Sequence, residues 1–130
     1  MLALCERLGI SQVVWSPLAQ GVLTGKYLPK AALPSDSRAA DRSMGAFLNP
    51  GWFEPAVLEA VQKIKRLADQ ANLTPTQFAL TWVLRQRNVA SAIVGASRPE
   101  QVDENAASSG ASVDSSLFKE AEELLREWTR

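Results

Sequence analysis

The chain has 130 residues, 46% hydrophobic and 22% charged, with a single cysteine, which is the composition of one soluble globular domain at most. It contains no histidine, and this excludes Ser-His-Asp and Cys-His catalysis and nearly every His-ligated metal site. Basic and acidic groups balance at 14 each, but residues 1–99 carry 11 bases against 6 acids and residues 100–130 carry 3 against 8; a nucleic-acid binder would show a stronger basic excess, whereas an anion held locally in the first part is compatible.

In chain order, Met1 to Gly9 places Leu2, Leu4, Cys5 and Leu8 on one helical stripe, with Gly9 as a suitable stop. This start lacks the basic-then-apolar pattern of a secretion leader, and no later run approaches the roughly 18 apolar residues that span a bilayer, so a cytoplasmic protein without a membrane partner is expected. Cys5 has no second cysteine to pair with and is expected to be a small core residue.

Gln12-Val13-Val14-Trp15-Ser16 is β-branched and aromatic, and Pro17 cannot donate to a ladder, so a strand is expected to end near Ser16. From Pro17 to about Phe53 there are glycines at 21, 25, 45 and 51, prolines at 17, 29, 34 and 50, and no sustained period. A loop this long in a compact domain is usually functional or disordered. Phe47, Trp52 and Phe53 suggest that it also offers apolar surface.

Glu54 to Asn72 carries Val57, Val61, Ile64, Leu67, Ala68 and Ala71 at helical spacing, with Pro55 in its first turn. Thr74-Pro75-Thr76-Gln77 has the form of a capping box that opens a helix to about Arg87, with Phe78, Trp82 and Val83 on its apolar face. Val89 to Val94 reads as a second strand ended by Gly95. Ser97-Arg98-Pro99-Glu100 reads as a second capping box, and Asp114 or Ser115 opens a last helix striped by Leu117, Ala121, Leu124, Leu125 and Trp128.

Strands separated by helices imply parallel pairing in an α/β fold. Two parallel strands cannot bury the faces of four to five helices or hide their own edges, so the architecture is short of strands.

Ligands of parallel sheets bind beyond the carboxyl ends of the strands. After the second strand, a helix amino terminus with Ser97 and Arg98 beside it favours an anion. Gln101, Glu104, Asn105 and Ser108 follow Arg98 at intervals of three or four, a stripe equally compatible with a solvated face. After the first strand, Gly21, Gly25 and Lys26 combine close backbone approach with a cation. This is not a phosphate-binding P-loop, because the spacing is wrong and Tyr27 follows the lysine. By themselves Trp15, Trp82 and Trp128 read as core residues.

Trp15-Ser16-Pro17-Leu18-Ala19-Gln20-Gly21 through Thr24-Gly25-Lys26, together with Val94-Gly95-Ala96-Ser97-Arg98-Pro99-Glu100-Gln101 through Glu104-Asn105, resembles the aldo-keto reductases. More narrowly it resembles the bacterial branch similar to voltage-gated potassium channel β subunits, and the likeness covers essentially the whole chain. It implies that residues 1–130 form the carboxy-terminal part of a (β/α)8 TIM barrel, and that 29–53 is a loop covering a cofactor. Such a barrel has eight strands and typically ~250 residues.

By that resemblance Trp15 would be the platform for a nicotinamide ring. Ser16, Leu18, Ala19, Gly21 and Lys26 would line its pyrophosphate, and Arg38 would close over it like a strap. Gly95, Ser97, Arg98 and Gln101 would hold the 2′-phosphate end, with Glu104 and Asn105 facing adenine; this set implies NADP(H). The family's Asp-Tyr-Lys-His tetrad, which reduces aldehydes or ketones, belongs to earlier strands. Tyr27 is the only tyrosine and lies in the cofactor loop, so no catalytic residue is assigned and the chain alone is expected to be inactive. A nucleotide-sensing subunit and a remnant that binds nothing are the alternatives. An incomplete barrel is also expected to self-associate or to be completed by another chain.

Overall fold

The computed structural model describes residues 2–45 and 48–128. Its elements follow the expected order. Helix α1 (Leu2–Arg7) leads into strand β1 (Gln12–Trp15), and a long connection holding a short helix α2 (Arg42–Gly45) leads to α3 (Pro55–Gln70) and α4 (Pro75–Leu84). Strand β2 (Val89–Ile93), α5 (Pro99–Ala106) and α6 (Ser115–Leu125) complete the α/β fold. The described residues thus hold six α-helices where four to five were expected, because one turn of helix closes inside the long loop behind Asp41. Short 3-10 segments at Ala19–Thr24, kinked at Gln20 and Gly21, and at Pro50–Phe53 further order that connection, and a third, Arg126–Trp128, follows α6.

Sequence chemistry explains the helix starts. Thr74 and Gln77 form the expected capping box: the Gln77 N–H donates to Thr74 Oγ1 at 3.2 Å and the Thr74 N–H to Gln77 Oε1 at 3.1 Å. Asp114 accepts from the Ser116 N–H at 2.8 Å and so caps α6. The cap of α5 lies one residue later than expected. Arg98, not Ser97, takes the N-cap position, and Gln101 rather than Glu100 reaches back to it. A guanidinium has no acceptor, so only the Gln101 half of that box carries a hydrogen bond.

The core lies between helices. Ile64, Leu67 and Ala68 of α3 pack with Phe78 of α4 and with Phe118 and Ala121 of α6; the two phenylalanine rings are 5.1 Å apart. A second cluster joins Leu58 and Val61 on α3 to Val22 and Tyr27 of the loop. Trp52 and Phe53 pack against this second cluster while staying half-buried, so the loop keeps part of its apolar surface there. Phe47 falls outside the described residues.

The two strands pair in parallel, Val13 with Ser91, Val14 with Ala92 and Trp15 with Ile93. Helix α4 packs against β2, and the half-buried Val14 and Ala92 occupy one face of the sheet. On the other face Val13, Trp15 and Ile93 are 62%, 76% and 61% exposed. Trp15 and Trp128 are therefore not core residues in this chain, whereas Trp82 packs at the core's edge. Cys5 is half-buried on α1, whose Leu2 and Leu4 stand exposed, and is no core residue either. Among the described residues no helix is long and apolar enough to cross a membrane, and no cluster of metal-ligating side chains occurs.

Candidate functional site

The register sets the site. Because Trp15 pairs with Ile93 in a parallel ladder, the segments beginning at Ser16 and Val94 leave the sheet side by side at the same end. Strand ends of this kind are where α/β folds bind ligands.

The first tip is wound tightly. Ser16, Ala19 and Gln20 have φ of 52°, 46° and 55°, and Gly21 and Gly25 have 100° and 74°. Left-handed backbone costs an ordinary residue roughly 1–2 kcal/mol, so a cluster of it persists only where the surroundings hold it. They do so here. The Gly21 N–H donates to the Leu18 carbonyl at 2.9 Å, Thr24 Oγ1 donates to the Gly21 carbonyl at 2.8 Å, and Val22 and Tyr27 are buried against α3. A methyl group placed on Gly21 would lie 3.5 Å from Lys26 Cε and 3.6 Å from Nζ, so the lysine side chain runs across this glycine. Its ammonium stands 5.3 Å from the centre of the Tyr27 ring. The Tyr27 hydroxyl is buried and has no hydrogen-bond partner among the described residues.

The second tip is open. Ala96, Ser97, Arg98, Pro99, Val102 and Asp103 line a cleft of about 520 Å³, and a side chain on Gly95 would meet nothing within 4 Å. Gln101 Oε1 accepts from the Ser97 N–H at 2.8 Å, the Ser97 hydroxyl at 3.2 Å and the Arg98 N–H at 3.3 Å. An anion arriving here would take these donors over from Gln101. The Arg98 guanidinium lies 3.4 Å from the Asp36 carboxylate, a contact between the long loop and the start of α5.

Of the residues expected at the site, Trp15, Ser16, Leu18, Ala19, Gly21 and Lys26 gather at the first tip. Gly95, Ser97, Arg98 and Gln101 gather at the second. Arg38 is exposed on the long loop, two residues beyond Asp36, and makes no ion pair among the described residues. Just after it the Asp41 carboxyl is held below its usual range by the Ser43 hydroxyl, then by the Met44 and Ser43 N–H groups.

Glu104 is already engaged, since Thr74 Oγ1 donates to its carboxylate at 2.6 Å. Asn105 beside it is half-buried, and Ser108, the end of the polar stripe, is buried outright. Gln62 and Asp36 bear on the site without a signal in the sequence, and Thr74, read from the sequence only as a helix cap, also holds Glu104. Gln62 carried no signal, because its partners are main-chain carbonyls distant in sequence. The pairing of Asp36 with Arg98 likewise spans residues that only the fold brings together.

A profile described as the Aldo/keto reductase family matches residues 1–126. A probable voltage-gated potassium channel subunit beta from Arabidopsis thaliana is 44% identical over 97 residues, covering 75% of this chain and 29% of that protein. An NADH-specific methylglyoxal reductase from Escherichia coli is 33% identical over 132 residues, covering 96% and 37%. Among solved structures, the glycerol dehydrogenase of Gluconobacter oxydans superposes with a TM-score of 0.74 at 26% identity over 99% of this chain and 38% of its own. The chain thus spans less than two fifths of the length of these relatives.

Proposed function

This chain belongs to the aldo/keto reductase family, and we propose that it is the cofactor-holding, carboxy-terminal part of a (β/α)8 oxidoreductase that binds NADP(H) across the tips of β1 and β2. The observation that carries this is the parallel pairing of Trp15 with Ile93, which sends both phosphate-compatible loops out together. The share of each relative that the chain matches supports a partial barrel, and in this reading residues 29–53 form the loop over the cofactor.

The residues present fit such a ligand. Lys26 crosses the first loop over Gly21, whose φ of 100° favours glycine, and the Tyr27 hydroxyl, without a hydrogen-bond partner among the described residues, lies 3.9 Å from where a Gly21 side chain would begin. In this reading Lys26 and the loop from Ser16 through Leu18, Ala19 and Gly21 hold the pyrophosphate, Trp15 supports the ring, and Arg38 closes over them. Ser97, Arg98 and Gln101, beside Gly95 at the start of α5, take a 2′-phosphate, since a helix amino terminus, a hydroxyl and a guanidinium all favour it. Glu104 and Asn105 lie farther along α5, toward the adenine. A relative specific for NADH makes the choice of cofactor a property of each member, and Arg98 supports NADP(H) here.

Bound NADPH would supply the hydride for reducing an aldehyde or ketone. Tyr27 is the only tyrosine, is buried in the loop, and has no histidine to act with, so proton transfer to substrate falls to residues outside this chain. The same fact favours a second reading, a subunit that holds nucleotide without reducing anything. Turnover after the rest of the barrel is supplied separates the two. The exposed face of Val13, Trp15 and Ile93 supports completion by further strands or self-association.

Calorimetric titration tests the cofactor assignment. NADPH is expected to bind more tightly than NADH, and Arg98→Met is expected to weaken NADPH alone, by roughly tenfold for a lost charged contact. Equal affinity for both cofactors, unaltered by Arg98→Met, would overturn it.

A further inference from the structure

We propose that Gln62, a residue of α3 outside both strand tips, is a positioning residue for the Lys26 ammonium, and that through Lys26 it sets the affinity for a dinucleotide's pyrophosphate. The inference rests on the cofactor reading above and deepens it.

Gln62 Nε2 donates to the Gly25 carbonyl at 3.0 Å and to the Tyr27 carbonyl at 3.2 Å. A side-chain amide carries two N–H donors, and here the carbonyls on either side of Lys26 receive them. Holding both fixes the direction in which the lysine side chain leaves the main chain. The need for a clamp is local. Gly25 has φ of 74°, and its N–H donates to the Val22 carbonyl at 3.2 Å, but that bond leaves the carbonyls on either side of Lys26 to be held from α3.

On the far side Tyr27 is anchored by burial at 1% exposure, with its ring 5.0 Å from that of Phe53 in an edge-on arrangement. Between these two fixed points only the Lys26 side chain remains free, laid across Gly21.

The neighbours of Gln62 on α3 do different work. Leu58 and Val61 bury apolar surface against the same loop, and Lys65 passes 3.6 Å from where a Gly25 side chain would start. Packing at the position of Gln62 needs no donor, yet a donor is present and both carbonyls use it. Lysine carries a long flexible stem, so an anion that recruits it must order that stem. When the main chain is already held, the stem is all that remains to be ordered.

The test compares NADPH with adenosine 2′-monophosphate, which has no pyrophosphate and so engages only the second tip, by calorimetry on the 130-residue chain. Q62M is expected to weaken NADPH roughly tenfold, the scale of one or two hydrogen bonds, and to leave the mononucleotide and the melting temperature unchanged. K26M is expected to weaken NADPH comparably, and Q62M added to K26M to do nothing more, because the two act as one unit.

Equal loss for both ligands, or additive losses in the double variant, would mean a general structural role and overturn the proposal. NADPH binding that Q62M leaves intact overturns this inference alone; failure of the unaltered chain to bind NADPH overturns the cofactor reading and this one with it. Should Q62M not fold, Q62N carries the same comparison, because its amide stops one methylene short of the carbonyls.

Discussion

Trp15 and Ile93 face each other as the last paired residues of two parallel strands, and both side chains stand largely in solvent. The pair marks the end of the sheet where the candidate site begins. It also belongs to an apolar face, with Val13, that stands largely uncovered among the described residues. One relationship therefore bears on both ligand binding and assembly.

Replacing Trp15 with alanine separates these roles. An exposed residue contributes little to folding, so the stability change should stay within about 0.5 kcal/mol in chemical denaturation. The quenching of tryptophan fluorescence by added NADPH should fall sharply. Unchanged quenching would remove Trp15 from the nicotinamide platform.

Assembly is tested by Ile93→Lys. A charge in the middle of the open apolar face should shift the chain toward monomer in sedimentation velocity at micromolar concentration, with circular dichroism unaltered. A distribution identical to that of the unaltered chain would show that this face is not the one in contact.

Asp36→Asn addresses the ion pair with Arg98. An exposed pair of this kind is worth roughly 0.2–1 kcal/mol, so freeing the guanidinium should tighten NADPH by up to about fivefold and leave NADH alone. Equal effects on both cofactors would mean that Arg98 does not meet the 2′-phosphate.

Phe78 joins α4 to α3 and α6, and it is almost fully buried. Phe78→Ala should cost about 3–5 kcal/mol. That is a large share of a domain's total stability and should appear as a much lower urea midpoint.

Acid should loosen the attachment of α6. The Arg85 guanidinium, then the Trp82 N–H, hold the Glu122 carboxyl below its ordinary value of 4.5. A lowered folded-state value means that the contribution is present above pH 4.5 and lost as pH falls through the folded value. Because Glu122 is 43% exposed, solvent screening limits the effect to a few tenths of a kcal/mol. Thermal melts between pH 6 and pH 3 should fall slightly less steeply for Glu122→Gln; identical slopes would remove Glu122 from the acid response.

The sequence by itself determined the local features. Val13, Val14 and Trp15 mark the first strand and a short apolar stretch ended by Gly95 the second, Thr74 and Gln77 start α4, Asp114 starts α6, and the apolar spacing of α3 identifies its buried face. Each depends on residues within a few positions of one another, which is the range over which capping and periodicity act. The two phosphate-compatible tips were legible in the same way, from glycine, lysine and a helix start.

Only the tertiary structure decided what joins distant segments: Trp15 beside Ile93, Asp36 on Arg98, Glu104 drawn to Thr74, and Gln62 on the carbonyls around Lys26. It also packed Trp52 and Phe53 onto the Tyr27 cluster and left Trp15 and Trp128 exposed, the latter two against their reading as core residues. The reason is physical. Burial and long-range hydrogen bonding depend on which faces meet once the chain has closed, and an aromatic or an amide has the same local pattern whichever face receives it.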